Sequence, residues 1–156
     1  MDGVKTREVY YRTAKDTIKV SLDKLATWDE IEGIGKWVSG KGFYTTTFTW
    51  ESGADGAYLD LGDFEQTVVV HVNGEKTAPV NIEHGVIDIS DLLVEGENRL
   101  DIEYSSTLTN RVKADGDQYL ARPVSALDWR NVVKSRDWHK YGLTSVTLIP
   151  YVDFAL

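Results

Sequence analysis

Residues 39–109 read SGKGFYTTTFTWESGADGAYLDLGDFEQTVVVHVNGEKTAPVNIEHGVIDISDLLVEGENRLDIEYSSTLT, and this stretch decides the fold. Apolar and polar residues alternate along much of it. One face of an early segment carries Tyr44, Thr46, Phe48 and Trp50, and one face of a later segment carries Val68, Val70 and Val72. A period of two residues is typical of β-strands with one buried face. We therefore predict strands here and place Trp50 in the core.

Short turns separate the predicted strands. Asn73-Gly74 is a strong hairpin signal because both residues accept positive φ, and residues 95–98 form a second tight turn. We expect Asn73→Asp to be tolerated, and Gly74→Val to destabilise the fold by about 1 kcal/mol or more. Further short elements are strands at 80–82 and 86–89, a helical turn at 90–94 and a last strand at 145–152, with Pro150 near a sheet edge.

Short strands at this spacing favour an all-β fold, an antiparallel β-sandwich rather than an α/β fold. We predict about eight main strands, with a long loop before the last one. Two segments interrupt the strand pattern. Residues 23–36 carry Trp28, which we expect to pack a loop against one end of the sandwich, and residues 111–141 form the longest connection. A connection of this length is usually functional, partly helical or both.

The composition limits the classes of function. The chain has 156 residues, enough for one domain, and 25 acidic against 17 basic residues give a net charge of −8. This balance argues against nucleic-acid binding, which needs a basic surface. The absence of cysteine excludes disulfides and thiolate metal sites. No apolar run is long enough to span a membrane and no signal peptide is seen, so a secreted parent protein would carry its signal outside this sequence.

Metal and catalytic chemistry have little support in the sequence. His71 alternates with valines and is interpreted as a strand-face residue. Residues 115–117 read DGD and offer carboxylates for a structural calcium, but a solvated acidic turn is the default and no cofactor is predicted. No Gly-x-Ser-x-Gly nucleophile motif is present, and scattered acids by themselves do not indicate a glycosidase site. We expect no catalytic residues in this chain.

Aromatic and charged residues are concentrated in the long connection. A sugar stacks its C–H face on an aromatic ring, and its hydroxyls bind polar or charged side chains. Trp129 or Trp138 is expected to supply the stacking face. The predicted carbohydrate-binding residues are Trp129, Trp138, Trp37, Asp128, Arg130, Arg136, His139 and Tyr119. The alternative is that the tryptophans seal the loop or dock on a neighbouring domain.

Several motifs resemble those of galactose-binding-like jelly-roll domains attached to large glycoside hydrolases. Residues 70–75, VHVNGE, are similar to their V-x-V-N-G-K hairpin, and residues 88–98 to their D-I-T-x-x-L … G-x-N signature. Residues 25–31, LATWDEI, look like the segment before their Ser-Gly-x-Gly-x-Tyr strand. Residues 108–111 and 141–146 resemble closing elements of α-L-rhamnosidase-type and family 2-type glycosidases, although Thr-Ser stands in the second where the family usually has Gly-Pro.

The resemblance implies a non-catalytic carbohydrate-binding module that targets a parent glycoside hydrolase to a plant-type polysaccharide or oligosaccharide. Residues 1–156 would form one monomeric domain of a larger enzyme that is extracellular or periplasmic. Its partners would be the sugar and the parent's catalytic domain, with no nucleic acid and no membrane. The alternative is a structural or interaction domain of a glycosidase with no sugar site of its own.

Overall fold

Two antiparallel sheets make up most of the computed structural model, which describes residues 17–51, 53–119 and 137–153. The four-stranded sheet has the order β1-β6-β3-β4, with β1 at Lys41–Trp50, β3 at Thr67–Val72, β4 at Glu75–Lys76 and β6 at Gly96–Ser105. The three-stranded sheet has the order β5-β2-β7, with β2 at Gly56–Asp60, β5 at Val86–Asp88 and β7 at Thr147–Tyr151. The predicted all-β antiparallel sandwich is confirmed, with seven strands among the described residues.

The core consists of the inward faces of both sheets. Its strand residues are Leu59, Val68, Val70, Val72, Ile87, Leu100, Ile102 and Tyr104. Burying one such aliphatic side chain contributes about 1.5–3 kcal/mol, so this cluster supplies most of the driving force for folding. Trp50 is only half-buried and lies outside the cluster, so its predicted core position is wrong. It is the last residue of β1, which among the described strands pairs only with β6 and lies at the edge of the sheet.

The short elements agree with the sequence pattern at most positions. Asn73 and Gly74 have φ of 54° and 85°, as the predicted hairpin requires. Ser90–Leu92 forms a single 3₁₀ turn, and Pro150 lies on β7, an edge strand. Residues 80–82 do not form the predicted strand. The side chain of Asn81 accepts a hydrogen bond from the backbone N–H of Glu83 at 2.8 Å, and this local turn replaces strand pairing.

The long connection begins with helix α1 at Thr109–Tyr119, so the prediction that it is partly helical is confirmed. Residues 115–117 lie within this helix, and the predicted acidic turn at this position is therefore wrong. The Asp-Gly-Asp sequence indicates a turn locally. Neighbouring Lys, Ala and Gln residues favour a helix over the whole segment, and that preference prevails.

The sandwich has two unlike ends. Lys41 and Thr67 both pair with Ser105, so β1 and β3 begin where β6 ends. We call this the loop end, and it comprises residues 23–39, 61–66, 105–110 and 137–146. We call the opposite end the turn end, and it comprises residues 73–74 and 90–98.

Candidate functional site

Trp28 anchors the loop end. Its indole N–H donates to the hydroxyl of Tyr44 at 2.8 Å, and its ring packs edge-to-face on Tyr104 and Tyr141 with centroids 5.4 and 5.9 Å away. Its backbone N–H donates to the carbonyl of Tyr141 at 2.8 Å. The side chain is buried, which confirms that Trp28 packs a loop against one end of the sandwich. It thereby joins the two segments that interrupt the strand pattern.

Two glycines provide space for this indole. A Cβ at Gly42 would lie 2.8 Å from Cζ2 of Trp28, and a Cβ at Gly142 would lie 2.8 Å from its Cδ1. Gly142 also has a φ of 108°, which side-chain-bearing residues rarely adopt. The glycines of the Ser-Gly-x-Gly and Tyr-Gly-Leu motifs therefore let the backbone pass close to the ring of Trp28.

The segment around His139 is fixed by contacts on its backbone and its ring. The amide of Asn110, which is buried, donates to the carbonyl of His139 at 2.8 Å and accepts from its N–H at 3.0 Å. The imidazole stacks on Tyr141 at 5.6 Å with an interplanar angle of 3°, and its Nδ1 lies 3.1 Å from Oε2 of Glu65. His139 is therefore held beside the loop at 61–66.

That loop is held in turn by Tyr104. Its phenol O–H donates to the backbone carbonyl of Glu65 at 2.6 Å. Burial raises the pKa of Tyr104 to about 12, so the hydroxyl keeps its proton and remains a donor to a higher pH than that of an exposed tyrosine. The next residue, Gln66, has a φ of 92°, a left-handed conformation that is unusual for a residue other than glycine.

Trp138 lies between two lysines on the surface of the loop end. The ammonium of Lys36 is 5.1 Å from the centroid of the ring and that of Lys113 is 4.9 Å away, both within cation–π range. Trp37 is 50% exposed and lies over Gly35. The segment that carries Trp37 therefore reaches Trp138 through Lys36.

A cleft of about 280 Å³ opens at the loop end and is lined in part by the loop at 61–66. Its polar and charged lining includes Thr27, Asp63, Glu65, Lys140 and Thr144, and Phe64 contributes an aromatic surface. The sequence pattern did not predict this cleft. Its lining residues come from four separate segments, at 27, 63–65, 82 and 140–144. Residues 25–31 and 141–146 carry family-like motifs, but neither motif indicates that the four segments meet.

The structure describes three of the predicted site residues with their side chains, namely Trp37, Trp138 and His139. Asp128, Trp129, Arg130, Arg136 and the side chain of Tyr119 lie outside the described residues. Within the described parts of the chain, no group of three or more His, Cys, Asp or Glu residues is arranged to hold a metal ion. In the same parts, no helix has the length and apolar character needed to cross a membrane.

Comparison with known proteins shows the fold. No protein-family model and no curated protein matches the sequence. A rhamnosidase from Novosphingobium sp. PP1Y is 23% identical, with a TM-score of 0.65 over 83% of this chain and 13% of that one. An FMN-binding β-glucuronidase from Facaelibacterium prausnitzii L2-6 is 22% identical, with a TM-score of 0.50 over 88% of this chain and 20% of that one. The chain thus has the fold of a small segment of these glycoside hydrolases.

Proposed function

We propose that this chain is a non-catalytic domain of a glycoside hydrolase and that it binds carbohydrate at its loop end. The observation that carries the proposal is the fold shared with segments of a rhamnosidase and a β-glucuronidase, of which it spans 13% and 20%. A segment this small, shared by enzymes named for different sugars, suits an ancillary role better than a catalytic one.

The surface of the loop end supports sugar binding. Trp37 is exposed, and Trp138 is half-buried with charged groups beside it. An aromatic ring next to polar side chains suits the C–H face and the hydroxyls of a sugar. A tethered domain of modest affinity raises the concentration of its enzyme on a polymer. We propose a plant-type polysaccharide or oligosaccharide as the target, and a secreted parent enzyme.

A second candidate function rests on the outer face of the three-stranded sheet. Tyr58, Val86 and Ile149 are exposed there, and Tyr58 lies 4.9 Å from Tyr151 between ring centroids. Neighbouring exposed apolar side chains are typical of interaction surfaces. A structural domain that docks on a catalytic partner through this face would need no sugar site.

Affinity gel electrophoresis separates the two functions. The full chain is run through gels that contain individual plant polysaccharides, together with Trp129→Ala, Trp138→Ala and Tyr58→Ala. We expect Trp129→Ala or Trp138→Ala to weaken retardation at least about tenfold, because the stacking ring is the anchor of a small site. Tyr58→Ala is the matched control and should keep full retardation. Retardation by a neutral polymer should change little with salt.

Two results would contradict the proposal. If both Trp variants are retarded like the parent while they keep their fold, the site lies elsewhere. If the chain releases reducing ends from a glycoside and one Asp or Glu substitution abolishes the release, the domain is catalytic. Retention of the chain by no polysaccharide would favour the structural role.

A further inference from the structure

We infer that the cleft of the loop end binds a single neutral sugar ring. This inference rests on the proposed function and specifies its ligand. The volume of about 280 Å³ is just below the roughly 300–1,000 Å³ of pockets for drug-sized ligands, so the cleft suits one ring rather than a chain of sugars.

The first observation is an unsatisfied hydroxyl in the lining. Thr27 is only 8% exposed, and its Oγ1 is buried with no hydrogen-bond partner among the residues that the structure describes. The backbone here is fixed, because the carbonyl of Thr27 accepts from the N–H of Glu30 at 2.9 Å and the neighbouring Trp28 is buried. Buried polar groups in native proteins are nearly always paired, and an isosteric valine would avoid the penalty. A ligand hydroxyl would supply the missing partner if the side chain rotated to turn Oγ1, which is now buried, toward the cleft that Thr27 lines.

The second observation is the strained backbone of Gln66, which follows the lining residue Glu65. Gln66 keeps its φ of 92° because Glu65 is held on both sides, by Tyr104 at its carbonyl and by His139 at its carboxylate. Strain of this kind persists only where the surroundings enforce it, and it is concentrated at ligand sites. It places a carboxylate oxygen acceptor at the edge of the cleft.

The charges of the lining define the class of ligand. Asp63 and Glu65 accept hydrogen bonds, Lys140 donates them, and the hydroxyls of Thr27 and Thr144 do either. Lys140 makes a distant ion-pair contact, 3.9 Å from Glu30, between two largely exposed side chains. The carboxylates of Asp63 and Glu65 would repel a uronate or phosphate, and the ammonium of Lys140 would repel a cation. A neutral polyol needs both donors and acceptors, and Phe64 offers a surface for its C–H face.

The test is an NMR titration of the ¹⁵N-labelled full chain with methyl glycosides of a neutral hexose, a neutral 6-deoxyhexose and a hexuronic acid. We expect a neutral glycoside to shift the amide signals of Glu65, Gly142 and Thr144, and the hexuronide to have no effect. Thr27→Val should keep or raise the melting temperature yet weaken this binding at least about tenfold. Thr27→Ser should restore most of the binding, and Glu65→Gln should weaken it. Tyr58→Ala is the unaffected control.

A purely structural Thr27 would give the same melting behaviour with unchanged binding, and that result overturns the inference. It also fails if neutral glycosides shift only the indole signal of Trp138, or if the hexuronide binds best. If Thr27→Val does not fold, the binding measured for Thr27→Ser and Glu65→Gln decides whether the inference stands. Retardation by a polysaccharide without any shift in the cleft leaves the proposed function intact and removes the pocket. If the chain shows neither retardation by a polysaccharide nor a shift in the cleft, the proposed function and the pocket are both contradicted.

Discussion

Among the described residues, the amide side chain of the buried Asn98 at the turn end makes four hydrogen bonds, whereas the buried hydroxyl of Thr27 at the loop end makes none. Asn98 accepts from Asn73 at 2.8 Å and from the N–H of Val94 at 2.9 Å, and it donates to the carbonyls of Val94 and Gly96 at 2.7 and 3.0 Å. The difference fits a turn end built for stability and, under our proposal, a loop end that keeps capacity for a ligand.

The two ends also differ in the range of their contacts along the chain. The bonds of Asn98 span at most 25 residues. At the loop end, the N–H of Leu143 donates to the hydroxyl of Tyr44 across 99 residues, and the contact of His139 with Glu65 spans 74. Local contacts close the turn end, whereas the loop end forms only when distant segments meet. Substitutions at the loop end should therefore test the packing around Trp28, and substitutions at the turn end should test the hydrogen bonds of Asn98.

The largest expected effect comes from Gly142→Ala. The new Cβ would lie 2.8 Å from the ring of Trp28 at a φ of 108°, so backbone strain and overpacking add to about 3 kcal/mol or more. Gly96→Ala at the turn end is the matched control. Its φ is 92° with open space around the Cβ, so it should cost only about 1–2 kcal/mol. Urea denaturation of both variants measures the difference, and equal losses would show that Trp28 does not restrict this position.

Next in size is Asn98→Ala, which should cost about 3 kcal/mol because it removes the four hydrogen bonds that this buried amide makes. Asn73→Asp should cost about 1–2 kcal/mol, because a carboxylate cannot donate to the carbonyl of Leu92 and to Oδ1 of Asn98 as the amide does at 2.9 and 2.8 Å. The expectation from sequence that Asn73→Asp is tolerated is therefore revised. Thermal melts of both variants test these expectations. A melting temperature of Asn98→Ala equal to that of the parent would contradict the structure.

A smaller effect is expected at alkaline pH. Burial raises the pKa of Tyr104 to about 12, above the ordinary value of 10.0, so the folded state retains a proton that the unfolded chain loses. The contribution of this group to stability is complete below pH 10.0 and is lost as the pH rises to about 12. Urea midpoints measured across this window should fall, and Tyr104→Phe should flatten the fall. An equal slope in the variant would assign the loss to other groups.

The strand positions could be read from the sequence because they depend on local patterns. The alternation of Val68, Val70 and Val72 sets the buried face of β3, and Asn73-Gly74 sets the hairpin through positive φ. The same local reasoning failed at 80–82, where the side chain of Asn81 forms its own turn. The alternation along β1 also predicted a core position for Trp50 that is wrong, because burial depends on which neighbours cover the end of a strand.

The sequence by itself determined the class of fold, the principal strands and turns, and the docking of Trp28 against one end. Each follows from residue type and spacing, which act over a few positions. Only the tertiary structure decided that Asn73 pairs with Asn98, that Gly42 and Gly142 enclose Trp28, and that Thr27, Glu65 and Lys140 share one cleft. These contacts join residues far apart in the chain, and no local pattern encodes which distant segments the closing of two sheets will bring together.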